Sequence, residues 1–154
     1  AAESTEDIIV LGGVGLLLQV FTIHAKNLQV QMRACMSATS LTARSTEIRG
    51  LFVEGNLISV ILEIMTFHPG SDELQKLFFE LLVGLVAHGR EARAAAVAGG
   101  GLEATCRMLE AHPTAAPMQV EALKLLCALA DGGPHVRARL EDAGGLLLTL
   151  HAME

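Results

Sequence analysis

The chain has 154 residues, 51% of them apolar, with 17 acidic against 11 basic side chains and a formal charge of −6. That length and apolar content exclude a disordered tail and allow a buried core, and an acidic balance without any Lys/Arg run excludes the clustered cations that nucleic acid demands. Five Phe, no Trp and no Tyr beside abundant Leu, Ala, Val and Met favour helix over sheet, so an all-α fold is expected.

In chain order, "ESTEDIIVLGG" is expected to be the end of a helix closed at Gly12, and "VGLLLQVFTIH" a second helix of about eleven residues. The stretch from Ile8 to Ile23 is apolar enough to suggest a membrane span. Its sixteen residues, interrupted by three glycines and Gln19, nevertheless fall short of the roughly 20 apolar residues that a span needs. A longer helix, "LQVQMRACMSATSLTA", follows, and then a short one bearing an arginine, "TEIRGLFVEGN". The same order returns as "ISVILEIMTFH", "DELQKLFFELLVGLVA" and "REARAAAVAGG", and again as "LEATCRMLEAH", "APMQVEALKLLCALA" and "PHVRARLEDAGG". Pro69 and Pro113 close the first helix in two of these copies, and "GGLLLTLHAME" starts a further one.

The copies stand in an ungapped register of 44 residues. His24, His68 and His112 fall on it, each seven residues before Gln31, Gln75 and Gln119. So do Leu41, Leu85 and Leu129, and Arg49, Arg93 and Arg137. Gly12, Asn56, Gly100 and Gly144 mark the unit starts, followed two residues later by Val14, Ile58, Leu102 and Leu146. A period in this range points to a stacked array of helical units, because one such unit cannot bury its apolar face alone. The units are bounded at 1–12, 13–56, 57–100, 101–144 and 145–154. In this register "FVEGNLISVILEIMTF" is the counterpart of the apolar Ile8–Ile23 stretch, and its Glu54 and Glu63 argue again against a span.

The long helices "VQMRACMSATSLTA", "LQKLFFELLVGLVA" and "MQVEALKLLCALA", with the endings "R…VEGN", "R…VAGG" and "R…EDAGG", resemble the armadillo repeat over essentially the whole chain. The separate Arg-bearing helix before the glycine favours this family over the two-helix HEAT repeat. The resemblance implies a right-handed α-solenoid whose long third helices line a concave groove for a partner, and an arginine that belongs to the scaffold. It also implies an Asn ladder in the groove, and here the sequence departs from it. The ladder slot holds Ser40, Gly84 and Ala128, and the position one turn earlier holds Met36, Glu80 and Lys124. Clamping of an extended peptide backbone by side-chain amides is therefore in doubt. Small residues in that slot suit a helix or broad surface lying close to the groove floor, or simply close stacking.

The histidines are expected to cap helix ends rather than share a metal, since equivalent positions on packed neighbouring helices lie about 8–10 Å apart and zinc ligands sit about 2 Å from the ion. Cys35, Cys106 and Cys127 form no CxxC pair and are expected to be buried reduced thiols. The glycine runs "LGGVG" and "AGGG" match no phosphate-loop spacing, and no catalytic motif is present. No cofactor, metal or catalytic residue is expected. The expected function is a non-catalytic protein–protein interaction scaffold whose groove comprises Arg33, Met36, Ser40, Lys76, Glu80, Gly84, Lys124 and Ala128. The alternatives are a structural component of a large cytoskeletal or ciliary assembly, or a regulatory arm of a larger multidomain protein. Expected partners are proteins, with no nucleic acid and no membrane span. The open ends would pack on further repeats or another chain. The expected location is the cytoplasm, cytoskeletal or ciliary under the second reading, with the nucleus left open.

Overall fold

The computed structural model describes the backbone of residues 5–142 apart from His88, and the side chains from Gly12 onward. The chain is all-helical over these residues, with nine helices: α1 Thr5–Ile23, α2 Leu28–Thr42, α3 Thr46–Glu54, α4 Leu57–Met65, α5 Asp72–Val86, α6 Arg90–Ala98, α7 Gly101–Ala111, α8 Ala116–Ala130 and α9 Pro134–Asp142. The long helices α2, α5 and α8 are each 15 residues and begin 44 residues apart, and so do the nine-residue helices α3, α6 and α9.

Local chemistry sets most of the helix starts. Asn27, Ser45 and Ser71 adopt extended backbone and accept, through their side-chain oxygens, from the N–H groups of Val30, Ile48 and Leu74 at 3.1, 3.1 and 3.2 Å. Each satisfies one of the donors that a helix N-terminus leaves unpaired. Between α3 and α4, and again between α6 and α7, the chain reverses through one left-handed residue, Asn56 (φ 61°) and Gly100 (φ 83°). Glycine and asparagine are the residues that tolerate this conformation best. At the next position, a Cβ on Gly101 would lie 2.6 Å from the carbonyl oxygen of Ala96, so the close approach of α6 and α7 requires its hydrogen.

The core runs through the middle of the chain. α5 packs between α2 and α8, and its Leu74, Phe78, Phe79 and Leu81 are fully buried. Phe21 of α1 and Phe52 of α3 join them at 0% exposure. The helices α1, α4 and α7 lie against α2, α5 and α8 respectively, and α3 and α6 bridge successive units by contacting the helices on either side.

Two expectations need correction or restriction. The helix break at Gly12 is not there, because α1 runs uninterrupted through Gly12, Gly13 and Gly15. Each glycine costs a helix only about 1 kcal/mol relative to alanine, and the long apolar stretch around these three carries the helix through. Gly144, Leu146, the start of a further unit at 145–154 and residues 1–4 of the leading one lie outside the described residues.

Candidate functional site

The eight residues expected to line a groove lie on α2, α5 and α8, the three helices that pack side by side. Arg33, Met36, Ser40 and Lys124 are exposed, and Lys76, Glu80, Gly84 and Ala128 are half-buried. The charges are braced along their own helices: Lys76 Nζ lies 3.4 Å from Glu80 Oε1, and Lys124 Nζ lies 3.0 Å from Glu121 Oε1. Exposed pairs of this kind contribute only a few tenths of a kcal/mol. Met36 on α2 and Val120 on α8 are exposed apolar side chains of the same set of helices. Arg33 borders a cleft between α1 and α2, and Lys76 borders a separate one between the starts of α5 and α8. At the small-residue slot, a Cβ on Gly84 would meet Thr42 Oγ1 at 3.5 Å, ordinary contact. Stacking of α5 on α2 therefore tolerates alanine there.

The recurring glutamines have a structural task that their spacing alone did not reveal. Gln31 Nε2 donates to the carbonyls of Phe21 (3.1 Å) and His24 (2.8 Å). Gln75 does the same to Met65 and His68 at 3.0 and 2.9 Å, and Gln119 to Leu109 and His112 at 3.4 and 3.0 Å. One amide thus satisfies two carbonyls left over at a helix end, and Gln31 and Gln75 do so with no exposure at all. Two of the three histidines bond backbone carbonyls across the unit boundary. His68 Nε2 bonds the carbonyl of Ala25 at 2.8 Å and His112 Nε2 that of Pro69 at 2.7 Å, so each ring reaches back to the turn of the preceding unit instead of capping its own helix. The glutamine already occupies the carbonyls at the end of that helix, which leaves the ring to point outward. Lys26 sits over the ring of Phe67, 5.4 Å from its centroid, and adds a second tie across the same junction.

The arginines at the 44-residue spacing divide. Arg49 Nε donates to the carbonyl of Thr42, the last residue of α2, at 3.2 Å, and Arg137 Nε to that of Ala130, the last of α8, at 3.4 Å. A cation at a helix C-terminus also meets the negative end of the macrodipole. Arg93 makes no such bond among the described residues, and it borders a cleft between α6 and α9. That cleft, with a volume of about 590 Å³, is also lined by Arg90, Asp131, His135 and Arg139. Sequence reasoning missed it, although the signal was present: the positions 44 residues before Arg90, His135 and Arg139 hold Thr46, Glu91 and Ala95.

Cys35 and Cys106 are buried but Cys127 is exposed, which corrects the expectation of three buried thiols: Cys127 lies on the face of α8 turned to solvent. Burial pushes the Cys35 thiol far above its usual range, and the nearby Glu80 carboxylate pushes it further. Cys106 is raised by burial and by Glu110 and Glu103, with Arg107 opposing. Among the described residues no group of three or more His, Cys, Asp or Glu is arranged to hold a metal ion, and no helix is long and apolar enough to cross a membrane. No family model matches the chain, and no curated protein matches it.

Proposed function

We propose that this chain is a non-catalytic protein-binding scaffold, an armadillo-type α-solenoid of 44-residue units that holds a protein partner on the face formed by α2, α5 and α8. The observation that carries this reading is the recurrence of one hydrogen-bonded device, the glutamine donating to two carbonyls ten and seven residues before it, at Gln31, Gln75 and Gln119. The glutamines that recur in register are committed to joining helices, and stacking such units leaves a continuous surface whose residues vary. That surface presents Met36, Glu80 and Lys124 in successive units above Ser40, Gly84 and Ala128, a changing pattern suited to one particular partner. With no amide ladder, the occupant is a helix or a folded surface in preference to an extended peptide. The cytoplasm is the compartment that fits two buried reduced thiols.

A second reading, a rod in a cytoskeletal or ciliary assembly joined end to end, is favoured by one observation. Leu16 and Ile23 of α1 are 64% and 71% exposed, while the residues in register with them, Val60 and Phe67, are 44 residues on and less exposed. The two readings separate in one experiment: capture of partners from lysate by the parent and by a Met36→Glu, Glu80→Lys, Lys124→Glu variant that melts like it. Loss of specific partners supports the binding face. An unchanged partner set refutes it and favours the rod.

A further inference from the structure

The cleft between α6 and α9 has an internal control in this chain, because the cleft between α3 and α6 is built from the same positions one unit earlier. Among the described residues the earlier cleft is lined by one arginine, Arg49, against two carboxylates, Glu54 and Glu91, and has a volume of about 160 Å³. In the later one Glu54 is replaced by Ala98, Glu91 by His135 and Thr46 by Arg90, and Arg139 stands where Ala95 did. Among the described lining residues one acid is gained, Asp131, in place of Ala87. Three arginines now face one carboxylate in a wider cleft of about 590 Å³. A scaffold role accounts for Arg139, which joins α9 to Glu103 of α7 and to the end of α6, but not for Arg90, Ala98 or His135, since the stacking of the earlier cleft works without them.

The arginines are also not consumed by the fold to the same extent. Arg139 is engaged, with Nη2 at 2.8 Å from Glu103 Oε1 and Nη1 donating to the Val97 carbonyl at 3.3 Å, and so braces one wall. Arg90 and Arg93 have neither an ion pair nor a side-chain hydrogen bond among the described residues, whereas Arg49 and Arg137, in register with Arg93, each cap a long helix. Three residues apart on α6, Arg90 and Arg93 share a helix face. Guanidinium groups so placed match the paired oxygens of carboxylates and phosphates. Ala94, Val97, Ala98 and Val136 make an apolar part of the lining between the charges. Among the described residues that line the cleft none is Phe, Tyr or Trp, and His135 supplies its one ring, so it lacks the paired aromatic platforms that bases stack on.

We infer that the α6/α9 cleft is a second binding site, distinct from the α2/α5/α8 face, for an acidic peptide segment whose anionic side chains are held by Arg90 and Arg93. The apolar floor takes the small uncharged residues between them. None of the cleft residues is among the eight expected groove residues, so the inference stands independently of the function proposed for that face.

The test is fluorescence anisotropy of the whole chain with a labelled Glu-rich peptide, the same peptide with phosphoserine in place of Glu, and a Gln-for-Glu control. The parent binds the acidic peptides and not the control, and the affinity falls as salt rises. Stronger binding of the phosphoserine peptide assigns the anion as phosphate, and equal binding assigns it as carboxylate. An Arg90→Thr, Ala98→Glu, His135→Glu variant, which carries only residues already accommodated in the α3/α6 cleft, loses about tenfold or more in affinity. The Met36→Glu, Glu80→Lys, Lys124→Glu variant binds as the parent does. Should the cleft variant fail to fold, Arg93→Gln substitutes for it with the same expectation. Parental affinity in a folded cleft variant, or equal binding of the Gln control by the parent, overturns the inference.

Discussion

The ring of His68 and the backbone of Ala25 are joined by a 2.8 Å hydrogen bond across 43 residues of chain, while the carbonyl of His68 itself accepts from Gln75. One residue thus faces two units at once. Removing the ring by His68→Ala breaks only the outward bond, for a loss of about 1 kcal/mol. Removing the amide by Gln75→Leu strands two carbonyls, one of them wholly buried, and costs about 2–4 kcal/mol. Urea denaturation that ranks the two variants in the opposite order would contradict these roles. Gln119→Leu, at a site less buried and with one bond of 3.4 Å, loses less than Gln75→Leu.

Gly84 lies within α5, where a methyl group would meet Thr42 in ordinary contact. Gly84→Ala therefore stabilises the fold by about 0.5–1 kcal/mol, the difference in helix propensity. Gly101→Ala, in contrast, drives a Cβ to 2.6 Å from the Ala96 carbonyl and lowers the melting temperature. The pair of melting curves checks both signs.

The thiols differ in reactivity because the thiolate is the nucleophile. Cys127, exposed on α8, reacts with iodoacetamide in the folded protein, while Cys35, buried and with its pKa raised, is labelled only after unfolding. Mass spectrometry of the native and denatured protein after a timed pulse reads this directly. Native labelling of Cys35 as fast as Cys127 would refute the packing described for α2 and α5.

Burial pushes the Glu103 carboxyl up. A hydrogen bond from its own backbone N–H, the Arg139 guanidinium and the Arg107 charge outweigh that and hold it below the usual glutamate range. A carboxylate depressed in the folded state contributes stability that is fully present above the unfolded pKa of about 4.3 and is lost as the pH falls through the folded value. Glu103→Gln thus lowers stability at neutral pH and flattens its acid dependence. The effect stays below about 1 kcal/mol, since the pair is partly exposed. Denaturation midpoints followed from neutral pH downward measure the difference, which shrinks as the pH falls through the folded value.

Helix class, helix order and the extents of α2, α5 and α8 were legible in the sequence because apolar spacing, capping residues and the 44-residue register all pointed the same way. The break at Gly12 was not, because a glycine does not end a helix by itself: the chain turns left-handed at Gly100, whereas at Gly12 a strongly apolar helix carries through at little cost. The partners of His68 were equally hidden. Spacing along the chain locates a histidine near a helix end without saying which unit its ring faces. The cationic cleft lay in what failed to repeat, at Arg90, Ala98, His135 and Arg139, while the register draws attention to what does.

The glutamine clip also acts as a ruler. Helix α4 stops at Met65, whereas α1 and α7 reach Ile23 and Ala111, two residues further in register, yet Gln75 still finds both of its carbonyls. The helix end is free to fray or tighten, but the count from the second carbonyl to the amide stays at seven residues. A single inserted residue in that connection would rotate the following long helix away from its amide contact, so this junction is closed to length variation. Insertions inherited by relatives of this chain should therefore accumulate at the other connections, and their absence here would be a mark of ancestry in chain length as well as in side chains.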